Sequence, residues 1–156
     1  MKIMILILLA SFAGLYGTRK TGLGKELVLD GTFDEADVWT FGGDWTSWAG
    51  LTAYNGLGRG TLSQDLGSKL RPSTTYRVEF DVTLNGGAVN ILLGGTSKPV
   101  SGGANSFEIT TGTESTEIQF IVTEPGDPIE IDNVSVKEIK GKKKHYTKDF
   151  INRSVK

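Results

Sequence analysis

The run Thr75–Leu84 (Thr-Tyr-Arg-Val-Glu-Phe-Asp-Val-Thr-Leu) constrains the chain more than any other segment. As an extended ribbon it puts Tyr76, Val78, Phe80, Val82 and Leu84 on one side and Arg77, Glu79, Asp81 and Thr83 on the other, because successive side chains of a strand alternate between its faces. A helix would scatter the same residues around its circumference. The segment is therefore a strand with one dry face, and a dry face needs a second layer to cover it.

Shorter runs of the same character follow through the chain. Glu26–Leu29, Trp45–Trp48, Leu51–Tyr54, Gly60–Leu66, Ser106–Thr110 and Glu117–Val122 read as strands, with a turn at Ala49-Gly50. Asn85-Gly86 stands directly after Leu84, a strong short-range hairpin signal that predicts Ala88–Leu93 as the return strand. Ile129–Ile139 also alternates, but its apolar side switches midway, which predicts a bulge or a strand crossing from core to edge. After Ala13 no stretch carries helical periodicity. Glycine supplies 21 residues against 4 prolines, without a Gly-X-Y repeat, as many tight turns between short strands require. About nine or ten such strands predict an all-β fold, a two-sheet antiparallel jelly-roll sandwich.

The two ends differ from this body. Ile3–Ala13 is apolar except for Ser11 and runs into Gly14-Leu15. It is too short to span a bilayer, which takes about 20 residues. Its length suits the apolar region of a secretory signal, and Ser11-Phe12-Ala13 offers a small-x-small cleavage pattern. Retained, it would have to be buried, because Ile and Leu left in water make an aggregation site. The reading favoured is an apolar anchor, Ile3–Leu15, packed against other subunits; the other is a removed signal, the only case in which a membrane is involved. Lys137–Lys156 holds eight bases and two acids, leaving nine bases and sixteen acids elsewhere. A basic tail on an acidic body can meet an anionic neighbour, or it can be a solvated terminus. The expected division is 1–24 as apolar segment and linker, 25–139 as sandwich, and 140–156 as basic tail.

The ends of the sandwich carry a resemblance. Glu26-Leu27-Val28-Leu29-Asp30-Gly31-Thr32-Phe33-Asp34 with Trp39 nearby, closing with Ile131-Asp132-Asn133-Val134-Ser135-Val136, resembles the opening and closing signature of carbohydrate-binding-module-like jelly rolls of the galactose-binding-domain type. Domains of this pattern, with a Trp-Thr-x-Trp stretch such as Trp45–Trp48, are similar to those of tailed-bacteriophage tail, fibre and capsid-surface proteins. The resemblance implies a structural calcium ion joining the first strand region to the last. Asp34 and Asp132 stand at the matching carboxylate positions, and the carbonyls near Gly31 would help; Ca²⁺ takes six to eight oxygens, as the ion generally does. Asp34 stands where Glu is common, and a shorter arm reaches less far. Without an ion, Asp34 would start a turn and Asp132 would accept backbone N–H bonds.

Trp39, Trp45, Trp48 and Tyr54 form an aromatic cluster. Sugar rings stack their C–H faces on indole, and Asp44, Gln64 or Asn90 could bond the hydroxyls. Trp39, at the signature position, is expected in the core. Trp45 and Trp48 are three apart and face opposite sides of a strand, so at most one is core. Trp45, Trp48 and Tyr54 are the candidate platform for a glycan or a neighbouring subunit.

Parts for catalysis are scarce. With no cysteine there is no thiolate nucleophile, disulfide or zinc-thiolate site. The one histidine, His145, sits beside Lys142-Lys143-Lys144, which leaves no His-based triad. The glycine-rich Asn55–Gly60 opens no helix and so lacks the amide cluster of a phosphate site. A pair of carboxylates could serve a glycosidase, but nothing in the sequence brings two together. Two expectations remain: a non-catalytic virion structural protein (capsid decoration, fibre or tail) with weak affinity for cell-surface glycan, assembling through Ile3–Leu15 and the tail with no specific nucleic acid; or an extracellular carbohydrate-binding module with a cleaved signal.

Overall fold

The computed structural model describes residues 22–48, 52–56 and 58–141. The expectations for Ile3–Leu15 and for 142–156 lie outside the described residues. Within them the alternation of Thr75–Leu84 appears as burial: Tyr76, Val78, Phe80 and Val82 are buried while Asp81 and Thr83 are exposed. Eleven strands are described: β1 Gly22–Glu26, β2 Thr40–Phe41, β3 Trp45–Trp48, β4 Thr52–Asn55, β5 Thr61–Asp65, β6 Thr75–Leu84, β7 Ala88–Leu93, β8 Thr96–Pro99, β9 Gly103–Thr110, β10 Glu117–Glu124 and β11 Ile129–Lys140. One sheet runs β3-β4-β11-β6-β9, with β1 also paired to β11; the other runs β2-β5-β10-β7-β8. All pairings are antiparallel. The all-β sandwich expected from the alternation is the fold.

The dry faces meet between the layers. Val78, Phe80, Ile109, Ile131 and Val136 from the six-stranded sheet oppose Leu62, Ile91, Leu93, Ile118 and Phe120 from the five-stranded one, all essentially fully buried. Phe80 and Phe120 join the layers edge to face, with centroids 4.9 Å apart at 78°, the arrangement ring quadrupoles favour.

Two expectations are corrected here. Asn85-Gly86 does not close a hairpin, because β6 and β7 belong to different sheets. Both strands have apolar faces that must oppose each other, so the connection crosses between layers. Gly87 (φ +74°) packs there against Gly126, where any side chain would run into the Gly87 nitrogen. The first strand is also not Glu26–Leu29. It is β1, three residues into the expected linker, with Leu23 opposite Ile139 and Gly22 opposite Lys140. Pairing with β11 holds glycine-rich backbone extended where propensity alone would not.

The apolar switch in the last strand is a bulge. Asp132 opposes Asp81 and Ser135 opposes Glu79, so Asn133 and Val134 together face the single position of Phe80. Asn133 takes φ +55°, a conformation asparagine tolerates better than most residues. The extra residue returns Val134 and Val136 to the core.

Glu26 pins β1 to β11 beyond this bulge. Its Oε1 accepts N–H bonds from Val136 (2.7 Å), Leu27 (3.0 Å) and Val28 (3.1 Å), and its Oε2 accepts from the Ser135 hydroxyl (2.6 Å) with Lys137 Nζ at 3.4 Å. Burial pushes the carboxyl up, but the bonds from Ser135, Val136, Val28 and Leu27 outweigh it and hold it below its ordinary value. A carboxylate with a depressed folded-state pKa stabilises above the unfolded-state pKa, and that contribution is lost as pH falls through the folded value. Glu26→Gln is expected to cost about 1–2 kcal/mol at neutral pH. In denaturant titrations at stepped pH, the gap to the native protein should close below the ordinary glutamate range; a pH-independent gap would show that charge is not involved.

Candidate functional site

Around Asp30 the opening segment folds into a knot that fixes one side of the six-stranded sheet. The Asp30 carboxylate accepts N–H bonds from Asp34 (2.8 Å) and Glu35 (2.9 Å), and its carbonyl accepts the Trp39 indole N–H (2.9 Å). Phe33 is buried against Trp39, ring centroids 4.9 Å apart, so Trp39 is core as expected. Gly31 lies on the bulge of β11, where its carbonyl accepts the Val134 N–H at 2.9 Å.

That contact bears on the expected calcium ligands. Asp34 Oδ2 accepts the Thr32 hydroxyl (2.7 Å), Asp132 Oδ1 accepts the Asn133 N–H (2.7 Å), and the Gly31 carbonyl holds Val134. Each donor is engaged by the protein itself, and the backbone bond between Gly31 and Val134 already ties opening to close. Among the described residues no group of three or more His, Asp or Glu gathers as a metal would need. An ion joining Asp34 to Asp132 would have to share these oxygens with the bonds they already accept.

The outward face of the same sheet has a groove. Asp81, Thr83, Glu130, Asp132, Asn133, Gly103 and Ala104 line a space of ≈ 390 Å³, and Glu79, Asn105 and Ser106 continue it over a further ≈ 270 Å³. The bulge builds its floor. Asp81 and Asp132 are register partners, so two like charges stand directly opposed, an arrangement that normally destabilises a sheet. Asn133, turned by its positive φ, places its Nδ2 2.9 Å from Asp81 Oδ2 and 3.3 Å from Asp132 Oδ2 and bridges them. The result is a shallow trough of carboxylates, an amide and a hydroxyl, with little bulk on the β9 side where Gly103 and Ala104 stand.

The aromatic candidates divide. Trp45 is 4% exposed and belongs to the core, which corrects its place in a ligand platform: a buried indole offers no stacking face. Its Nε1 and the Nδ2 of its register partner Asn55 are buried without hydrogen-bond partners. The side chains of Trp48 and Tyr54 lie outside the described residues. By register, Tyr54 stands between Thr46 and Glu130, one strand from the groove, whereas Trp48 opposes Thr52 further along the β3–β4 pair. The polar partners do not gather there either. Gln64 is buried and bonded to the Leu29 backbone, and Asn90 is on β7 in the other sheet.

Fold comparisons agree with this architecture. The chain is similar to the enzymatically active domain of tailspike protein 4 from bacteriophage CBA120, at 16% identity and TM-score 0.53 over 73% of this chain, and it spans about a fifth (21%) of that domain. It also resembles a family 29 carbohydrate-binding module variant, at 17% identity and TM-score 0.45, covering 65% of this chain and 82% of the module. The fold is an all-β sandwich of two antiparallel sheets. No family model matches this jelly roll, and no curated protein matches it.

The groove residues Asp81, Glu130 and Asn133 were not singled out in the sequence. The signal existed: they are the wet faces of the two longest alternating strands, and the apolar switch marked where the bulge would turn a side chain outward.

Proposed function

We propose that this chain is a non-catalytic virion structural protein whose jelly roll takes hydroxyl-rich glycan weakly in the groove over β6, β9 and β11. The supporting observation is the bridged Asp81–Asn133–Asp132 trio with Thr83 and Glu130 beside it. Fixed carboxylates accept hydroxyl protons in strong charge-assisted bonds, and the amide adds a donor. The trough is open and lacks a deep enclosed cleft, which suits binding a chain laterally rather than enclosing a reacting bond. The tailspike likeness supports the virion setting as a fold relation only. An apolar Ile3–Leu15 and a basic tail supply assembly contacts in this reading. Calcium enters it only as a proposal, at Asp34, Asp132 and the Gly31 carbonyl, whose oxygens also accept bonds within the protein.

Titration of the full-length protein with neutral and acidic oligosaccharides, followed by amide chemical shifts, tests the site. Binding to neutral glycans is expected, with shifts centred on Asp81, Asn133 and Ala104, and Asp81→Ala should weaken it about tenfold or more. No binding across the panel, or undiminished binding by Asp81→Ala, would remove the groove from the proposal. The same titration with calcium and with chelator should agree; a calcium-dependent affinity or melting temperature would restore the ion. The alternative, a secreted module with a cleaved signal, predicts a mature N-terminus near Gly14, whereas intact Met1 within a large assembly supports the virion.

A further inference from the structure

We propose that the chain forms a two-fold dimer through the free edge of β9, with Ser106 on the axis. β9 pairs with β6 over eight consecutive positions, Gly103 opposite Val82 to Thr110 opposite Thr75, with no register shift. Among the described residues no strand lies on its other side. The other edges are short or blunted in ways that discourage pairing: β2 has two residues, β3 at the far edge of the same sheet only four, β8 four with Lys98 and a terminal Pro99, and β1 carries Lys25, Glu26 and a register shift. β9 has one charge, Glu108, and no proline.

The backbone direction along β9 follows from its end. The Thr111 N–H donates to the Thr74 carbonyl (3.0 Å), and the Thr111 carbonyl accepts from Ser73 (3.0 Å), so position 111 turns its backbone groups toward the β6 side. In an antiparallel ladder this orientation alternates. Residues 109, 107, 105 and 103 therefore bond β6, and Thr110, Glu108, Ser106 and Ala104 turn theirs outward. Thr110 bears this out, since its carbonyl takes the Thr96 hydroxyl at 2.8 Å. Ala104, Ser106 and Glu108 remain, three evenly spaced donor–acceptor pairs centred on Ser106.

Such an edge is complementary to itself. Two-fold antiparallel pairing sets Ser106 opposite Ser106 of a second copy and Ala104 opposite Glu108, making six backbone bonds. Neighbouring registers are poorer. With Phe107 on the axis, Ser106 faces Glu108 in four backbone bonds, and the outer pair, Ala104 with Thr110, needs the carbonyl that Thr96 holds; with Glu108 on the axis, two like charges oppose. A step the other way meets Gly103 at φ +94° and the Asn105 amide, which holds the Ser101 (2.7 Å) and Gly103 (2.9 Å) carbonyls. In the favoured register Glu108 faces an alanine and keeps its ion pair with Arg77 at 3.2 Å, so little unbalanced charge enters the seam. Ala104, Asn105 and Ser106 also line the groove, so the dimer sets two grooves side by side across the axis.

Sedimentation equilibrium of the full chain tests this. The native protein is expected to sediment as a dimer. Ser106→Pro removes an N–H that β6 does not use, so the domain should keep its circular-dichroism spectrum while the dimer dissociation constant rises at least about tenfold. Ala104→Glu, facing Glu108, should weaken the dimer, and Ala104→Lys should preserve it. Because the chain has no cysteine, Ser106→Cys should oxidise to one covalent dimer whether or not the proline variant folds. A monomeric native protein, a dimer indifferent to the sign of charge at 104, or a Ser106→Cys variant that fails to cross-link would each overturn the proposal.

Discussion

Gly31→Ala is expected to unfold most of the protein, the largest effect of any single methyl group in the sandwich. A Cβ on Gly31 would overlap the Val134 carbonyl oxygen and crowd that residue's carbonyl carbon (3.0 Å) and nitrogen (3.2 Å). Every atom it meets is backbone, so no side chain can swing away. Relief requires parting the opening segment from the bulge, which gives up the Val134 N–H bond to the Gly31 carbonyl and disturbs the packing of Phe33, Trp39 and Val134 behind it. A loss of about 4 kcal/mol or more follows, comparable to the whole stability of many small domains. Urea unfolding checks it against Gly56→Ala, where an added Cβ meets nothing within 4 Å and the change should stay within about 1 kcal/mol. A Gly31→Ala protein as stable as that control would mean the opening segment is not clamped to β11.

Gln64→Leu is expected to cost about 3 kcal/mol despite adding apolar bulk to a buried position. Gln64 is 4% exposed, and its amide forms a closed pair with one backbone residue: Oε1 accepts the Leu29 N–H (2.8 Å) and Nε2 donates to the Leu29 carbonyl (2.7 Å). The side chain does the work of a missing strand, joining β5 of one sheet to the segment leaving β1 of the other. Leucine fills the space and leaves both Leu29 groups unpaired, so the penalty is desolvation, not a cavity. Gln64→Glu separates the two. It keeps the acceptor but sets a second carboxylate oxygen against the Leu29 carbonyl, which favours the protonated form in the folded state. Its stability should therefore rise as pH falls. Thermal melts of both variants across acid pH decide the matter; equal, pH-independent losses would point to packing alone.

How far the sequence carried depended on whether a feature was local. Strict alternation placed β6 and β7 to the residue, because both strands have one face fully committed to the core. The bulge was legible for the same reason: a core-facing pattern cannot change parity without an extra residue. Short edge strands were not. β2, with two residues, and β8 beside its glycine-rich turn are held by pairing to Ser63 and to Leu93, and nothing within them announces it. Asn85-Gly86 misled because a turn dipeptide fixes only its own dihedrals, whereas the destination of β7 is set by which layer its apolar face must cover.

The candidate site divided along the same line. Trp39 read correctly because a buried ring and its carbonyl partner lie within ten residues of each other. Gln64 looked like a surface hydroxyl binder, since the partner that buries it is 35 residues away. The pairing of Asp81 with Asp132 is a matter of inter-strand register, which no single-strand pattern reports.

Gly22 stands opposite Lys140, so the chain enters and leaves this domain at neighbouring points, while Asp81 and Asp132 sit toward the other end of β11. A load carried by flanking chain would thus act on two adjacent antiparallel strands from the same end and open them like a zip, one rung at a time. The first strong resistance it met would be the Glu26 carboxylate, with the Gly31 clamp behind it and the groove still intact beyond.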